Sequence, residues 1–184
     1  MALKKLPYSR LEPLLRENLS VDEEDSATSL IHRLRAAKKR GWITPSELAA
    51  MCYWKSPRTI HHIRSNSPAS VRAATRAALG TRSEQRRLEA LRQLKGVSVP
   101  MASAILMLLD PKRYGVIDIR VWQLLHKVGT VTENADGVGF NFKNWYQFLM
   151  VLRYFAKKLG VSARDIERTL FLVHKEHQKG RLYK

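Results

Sequence analysis

From Val99 to Leu109 the chain reads VPMASAILMLL, with no charged side chain and a single hydroxyl. A helix of that composition has no face to offer water, so other elements must enclose it. It is too short to cross a bilayer, and no other run is long and apolar enough to do so. The chain is therefore expected to wrap around one central helix, and the residues at its two ends should decide function.

At the leading end, Leu88, Leu91 and Leu94 close the apolar stripe of an incoming helix, and Lys95-Gly96-Val97-Ser98 makes the turn. Gly96 suits the positive φ common just past a helix, Ser98 can cap the next helix, and Pro100 falls in its first turn, where a missing N–H costs nothing. The start of that helix presents unpaired amides and the positive end of a dipole, which suit a phosphate. Many helical hairpins turn on glycine with no nucleic acid nearby, so the turn alone does not settle the matter.

At the trailing end, Tyr114-Gly115-Val116-Ile117-Asp118 leads into a stripe of Val121, Leu124, Leu125 and Val128, which puts Asp118 at a helix N-cap. A lone aspartate in such a place most often only caps. Together the two ends, a Leu-x-Gly-Val-x turn followed by an aspartate just past the next loop, resemble the helix-hairpin-helix superfamily of DNA glycosylases. In that family an aspartate stands eighteen positions after the hairpin-helix site that holds a lysine in bifunctional members, and here Asp118 stands eighteen after Pro100. The likeness covers about Leu48 to Leu125, with the hairpin pair at about 84–109. It departs from the pattern at Ser98, in place of the second glycine, and at Pro100, in place of the lysine.

The resemblance implies an all-α fold and a monofunctional glycosylase acting on a damaged or modified base flipped from double-stranded DNA, with Asp118 as catalytic residue. It implies phosphate binding by the turn Lys95, Gly96, Val97, Ser98 and Val99, with Arg120 and other basic side chains nearby, and a place for Trp122 in the base pocket. It also implies no organic cofactor, and a structural monovalent cation on the carbonyls of Arg92, Leu94 and Val97. The alternative is a helix-hairpin-helix DNA-binding or architectural protein without the chemistry.

The composition points the same way. Lysine and arginine number 33 against 16 acidic residues in 184, a formal charge of +17, and the natural partner is a polyanion. That charge does not distinguish DNA from RNA, nor either from an inert basic surface. One cysteine, Cys52, excludes both an intrachain disulfide and a four-cysteine iron–sulfur cluster. With no signal peptide in view, a single domain acting as a monomer in the cytoplasm or on the nucleoid is expected.

Along the chain, a basic arm spans Met1 to Pro7, and Tyr8, Leu11, Leu15 and Leu19 suggest a first helix. Ser20 or Asp22 should cap a second that ends at Lys38-Lys39-Arg40 before Gly41. Thr44-Pro45-Ser46-Glu47 starts a third, which runs out at Tyr53-Trp54-Lys55 beside Arg58, His61 and His62. Aromatics beside cations at a bend are what base stacking and phosphate pairing require, so Tyr53, Trp54, His61 and His62 are candidates for a pocket or wedge and Lys55 and Arg58 for DNA contacts. The same cluster can equally plug the rim of the core. Thr81 with Glu84 reads as a capping box, residues 129–140 as a loop or small hairpin, and Asn141 and Ser162 as caps of the last two helices. His174 and His177 have no third ligand at a metal-site spacing.

Overall fold

The computed structural model describes residues 6–178, so the first part of the basic arm lies outside the described residues. Among these, the regular structure is eleven α-helices and one 3-10 turn, with no β-strand. The helices are α1 (Leu11–Asn18), α2 (Asp25–Arg33), α3 (Arg35–Arg40), α4 (Pro45–Lys55), α5 (Ile60–Arg64), α6 (Pro68–Gly80), α7 (Glu84–Arg92), α8 (Val99–Leu109), α9 (Ile119–Lys127), α10 (Phe142–Leu159) and α11 (Ala163–His177).

The apolar helix α8 sits where its composition requires. Every residue of it except Pro100 is buried, and α2, α3, α4, α7 and α10 pack around it. A second layer of α9, α10 and α11 closes the other side, with α1 on α11. Trp145, Phe148, Leu149 and Leu152 of α10 and Ile166 and Leu170 of α11 are among the side chains that fill one continuous core.

Helix starts follow their capping residues. Ser98 accepts from Met101 N, Asp118 from Val121 N, and Ser67 from Ser70 N, while Thr44–Glu47, Asn141–Asn144 and Ser162–Asp165 form reciprocal capping boxes. Two starts differ from the sequence reading. Neither Ser20 nor Asp22 caps α2, which begins at Asp25 after Glu24 with no side-chain cap. At α7 the cap is Ser83, whose side chain accepts from Arg86 N, whereas the Thr81 hydroxyl accepts from Ser83 N. Glu84 is thereby free for another task. It takes Arg87, Arg113 and Arg153 at 3.1, 3.2 and 2.7 Å and the Tyr114 hydroxyl at 3.0 Å, tying α7 and α10 to the loop after α8. Burial works against its charge, but the hydrogen bond and charge of Arg153 prevail and hold its carboxyl below the usual range.

Residues 129–140 form no hairpin. The segment folds back on α9, where the Trp122 indole donates to the carbonyls of Asn134 (2.9 Å) and Glu133 (3.3 Å). Gly137 lies so close to Ile119 that a Cβ there would stand 3.2 Å from its carbonyl oxygen. None of the described helices is long and apolar enough to cross a membrane.

Candidate functional site

The loop 110–118 between α8 and α9 carries Asp118, and three separate elements fix it. The Ser103 hydroxyl, which donates to Pro100 O, accepts from Ile117 N at 3.1 Å. Glu167, on α11, accepts from Val116 N at 3.1 Å. At Gly115 a Cβ would fall 2.5 Å from Leu152 Cδ1 and 2.7 Å from Glu167 Cβ, so only glycine lets the loop pass this close to α10 and α11. Asp118 is therefore held from both sides, with Oδ1 on the Val121 amide at 3.0 Å and Oδ2 turned to Lys55 Nζ at 3.7 Å. These two side chains are 19% and 21% exposed.

Lys55 and Asp118 stand between two cavities and line both. The larger, about 570 Å³, runs along the turn before α8 and includes Arg58, Arg92, Gly96, Ser98, Val99 and Pro100, with residues 137–140 as the opposite wall. Val138 stands exposed on that wall. Behind the pair, on the α11 side, lies a smaller pocket of about 180 Å³ lined by Trp54, Arg168, Phe171 and Glu167 among others.

The turn itself is built more firmly than its sequence suggests. Gly96 has φ +79°, and a Cβ would meet His62 Cβ at 3.0 Å and Ile63 N at 3.2 Å. Asn66 clamps it, accepting from Lys95 N at 2.9 Å and donating to Lys95 O at 3.0 Å. Sequence reading missed Asn66, because an asparagine after a short helix carries no signal of a partner so far along the chain. Val97 N is already taken by Leu94 O at 3.1 Å, Lys95 N by Asn66 and Met101 N by the Ser98 hydroxyl, which leaves the amides of Gly96, Ser98 and Val99 as the turn's candidate donors to an anion. The side chains of Val97 and Val99 are buried. The same bond occupies one lone pair of Leu94 O within the proposed cation-binding carbonyls.

The other sequence candidates divide. Trp54 is half-buried in the small pocket, with the Arg164 guanidinium 5.6 Å from its ring. Trp122 is fully buried, its indole satisfied by carbonyls and its ring edge-on to Phe140, so it anchors the core and stands in neither cavity. Arg120 turns to α11, where it donates to Gln178 and lies 5.5 Å from the Phe171 ring, instead of toward the turn. Tyr53 is exposed and accepts from Arg64 at 3.0 Å, while His61 and His62 are exposed, with His62 backing Gly96; none of the three lines either cavity. Arg58 reaches the Ser56 hydroxyl at 3.2 Å on the rim of the large cleft.

His174 is buried beneath Gln123, with Nε2 3.3 Å from Oε1 and Nδ1 without a partner. Among the described residues no group of His, Cys, Asp and Glu is placed to hold a metal ion. Burial, helped by the charge of Arg120 and opposed by that of Asp118, pushes the His174 imidazole down to about 4. A depressed histidine is neutral in the fold, so its contribution is complete above the unfolded value near 6.5 and is lost as pH falls toward 4. About 2–3 kcal/mol should disappear over that window, and His174→Gln should flatten this part of a stability–pH curve measured by urea unfolding. An unchanged curve would place the acid sensitivity elsewhere.

No protein-family model, no curated protein and no solved structure matches this chain.

Proposed function

We propose that the protein is a monofunctional DNA glycosylase, releasing a damaged or modified base from duplex DNA, and that α7, the turn 93–98 and α8 act as a helix-hairpin-helix. The observation that carries this reading is the position of Asp118, a fixed carboxylate shared by a basic cleft and a smaller pocket behind it. The phosphates of the strand lie in the cleft against the Ser98 and Val99 amides, with Arg58, Arg92 and Lys95 supplying charge. The sugar of the target nucleotide lies at Asp118, and its base enters the pocket behind, beside Trp54 and Phe171. Extruding the nucleotide costs a few kcal/mol, less where the base is already mispaired.

As the bond to the base lengthens, positive charge develops on the sugar, and the Asp118 carboxylate stabilises it or takes a proton from the attacking water. Lys55 Nζ stands 3.7 Å from Asp118 Oδ2, on the strand's approach. A structural cation on the carbonyls of Arg92, Leu94 and Val97 and a cytoplasmic or nucleoid location belong to the same reading. Base release from duplexes carrying a panel of altered bases, run beside binding to undamaged duplex and to RNA, is the test. Tight duplex binding with no release from any member would favour the non-catalytic DNA-binding module instead.

With Pro100 where an amine would otherwise stand, water is the nucleophile and Lys55 stays an ion-pair partner. Borohydride treatment of the protein with abasic-site duplex should then trap no covalent adduct. An adduct that vanishes in Lys55→Ala would make Lys55 the nucleophile and the enzyme bifunctional.

A further inference from the structure

A groove of about 740 Å³ runs along α6, beside Trp42 and the start of α4, and shares no residue with the cleft or the pocket at Asp118. Its chemistry differs from theirs. Apart from Arg72 and Arg76, its lining is alanine, proline and Trp42, with no hydroxyl, amide or carboxylate side chain. Val71, Thr75 and Ala78 face the core, which leaves Ala69, Ala73 and Ala77 exposed at one residue per turn over about 12 Å. Side chains this small let a second helix lie close, at an axial distance of about 8 Å.

The groove's charge is unmatched. Arg40, 4.3 Å from the Trp42 ring, is paired with Glu47 at 2.6 Å, and Glu47 also caps α4. Arg72 lies 4.7 Å from the same ring, which holds its guanidinium in place, and neither it nor Arg76 has a carboxylate partner among the described residues. Between Glu47 and Glu84 the chain holds six lysines and arginines and no acid, so no neighbour in sequence supplies one. Tryptophan and arginine over a small apolar surface are the side chains that anchor protein interfaces. Phosphates would meet the two charges but gain nothing from the apolar lining. A second copy is opposed by the net charge of +17, and residues 1–5 and 179–184 carry cations and no acid, which excludes the chain's own ends.

We propose that this groove is the docking site for an acidic amphipathic helix of another protein. The partner's apolar side chains lie against Trp42 and the alanine row, and its carboxylates pair with Arg72 and Arg76.

The test follows the backbone and indole N–H signals of the full chain by NMR as helical peptides of equal length are added. One peptide carries glutamates and a row of leucines at helical spacing, a second has serine for leucine, and a third has lysine for glutamate. The first should shift the Trp42 indole and the α6 amides, leave Gly96, Ser98 and Val99 in place, and bind about tenfold or more tightly than either control. Arg72→Gln with Arg76→Gln should lower that affinity about tenfold, as should Ala73→Glu, which sets a carboxylate in the groove. All three positions are exposed, so the melting temperature should hold. Equal binding of the serine peptide, or binding that survives both variants, would reduce the effect to charge alone and overturn the proposal, as would the absence of groove shifts with the first peptide. Duplex DNA shifting the same groove signals would make it a nucleic-acid surface instead. Dimerisation of the free protein that Ala73→Glu abolishes would make the occupant a second copy. None of these outcomes bears on base release at Asp118, which stands or falls by its own assay.

Discussion

Asp118→Asn is expected to abolish base release while duplex affinity stays close to that of the parent or rises. Asparagine keeps the oxygen that accepts from Val121 N, so α9 retains its cap and the loop its seat on Ser103 and Glu167. What disappears is the charge. The amide can neither stabilise a sugar cation nor accept a proton from water, and loss of one such group costs about a hundredfold or more in rate. Lys55 loses its ion-pair partner, but its side chain keeps some contact with solvent, so the fold loses little. Removing a carboxylate from a site that phosphates approach also lowers repulsion. Single-turnover release by a folded Asp118→Asn protein at the parent rate would end the catalytic assignment, and equal melting temperatures would show that the comparison is fair.

The largest expected effect on stability comes from Arg164→Met. The Arg164 side chain is 10% exposed and the Glu167 side chain 2%, and Arg164 also holds Glu23, so one guanidinium joins α11 to the segment before α2. Removing it strands Glu167 in the interior, which should cost about 3–5 kcal/mol. The dependence on pH identifies the cause. Burial pushes the Glu167 carboxyl up, Arg164 pulls against that rise, and the charge of Asp118 adds to it. Without Arg164 the shift goes further upward. A carboxyl raised in the fold contributes stability that is complete below its unfolded value and is lost as pH rises through the folded one. The deficit of Arg164→Met relative to the parent should therefore be greatest at neutral pH and shrink on acidification, and adding Glu167→Gln should restore part of it. Urea unfolding at several pH values measures both. A deficit under about 1 kcal/mol, or one that deepens in acid, would contradict this account of the pair.

Much of the fold was legible because its signals are local. An eleven-residue stretch with no charge had to be central, and Thr44, Ser67, Ser98, Asp118, Asn141 and Ser162 each start a helix through bonds reaching three residues along the chain. The misplaced caps at α2 and α7 show the limit of that logic. Glu84 looked like the distal half of a capping box, yet four partners from the same helix, the loop after α8 and α10 claim it, a cluster that sequence neighbours cannot announce.

For the site, the chain by itself determined that a carboxylate would stand at the start of a helix and that a glycine turn would precede the apolar one. Tertiary structure decided what surrounds them. Lys55 meets Asp118 across a long sequence gap because α4 packs on α8, Asn66 clamps the turn because α5 ends beside it, and Glu167 reaches the loop because Gly115 has no side chain to keep α11 away. The same packing drew Trp122 into the core and Arg120 toward α11, although both follow Asp118 closely in sequence. Successive residues of a helix point about a hundred degrees apart, so nearness in sequence does not place two side chains at one site. Which of them share a cavity depends on the neighbours each face meets, and those neighbours come from elsewhere in the chain.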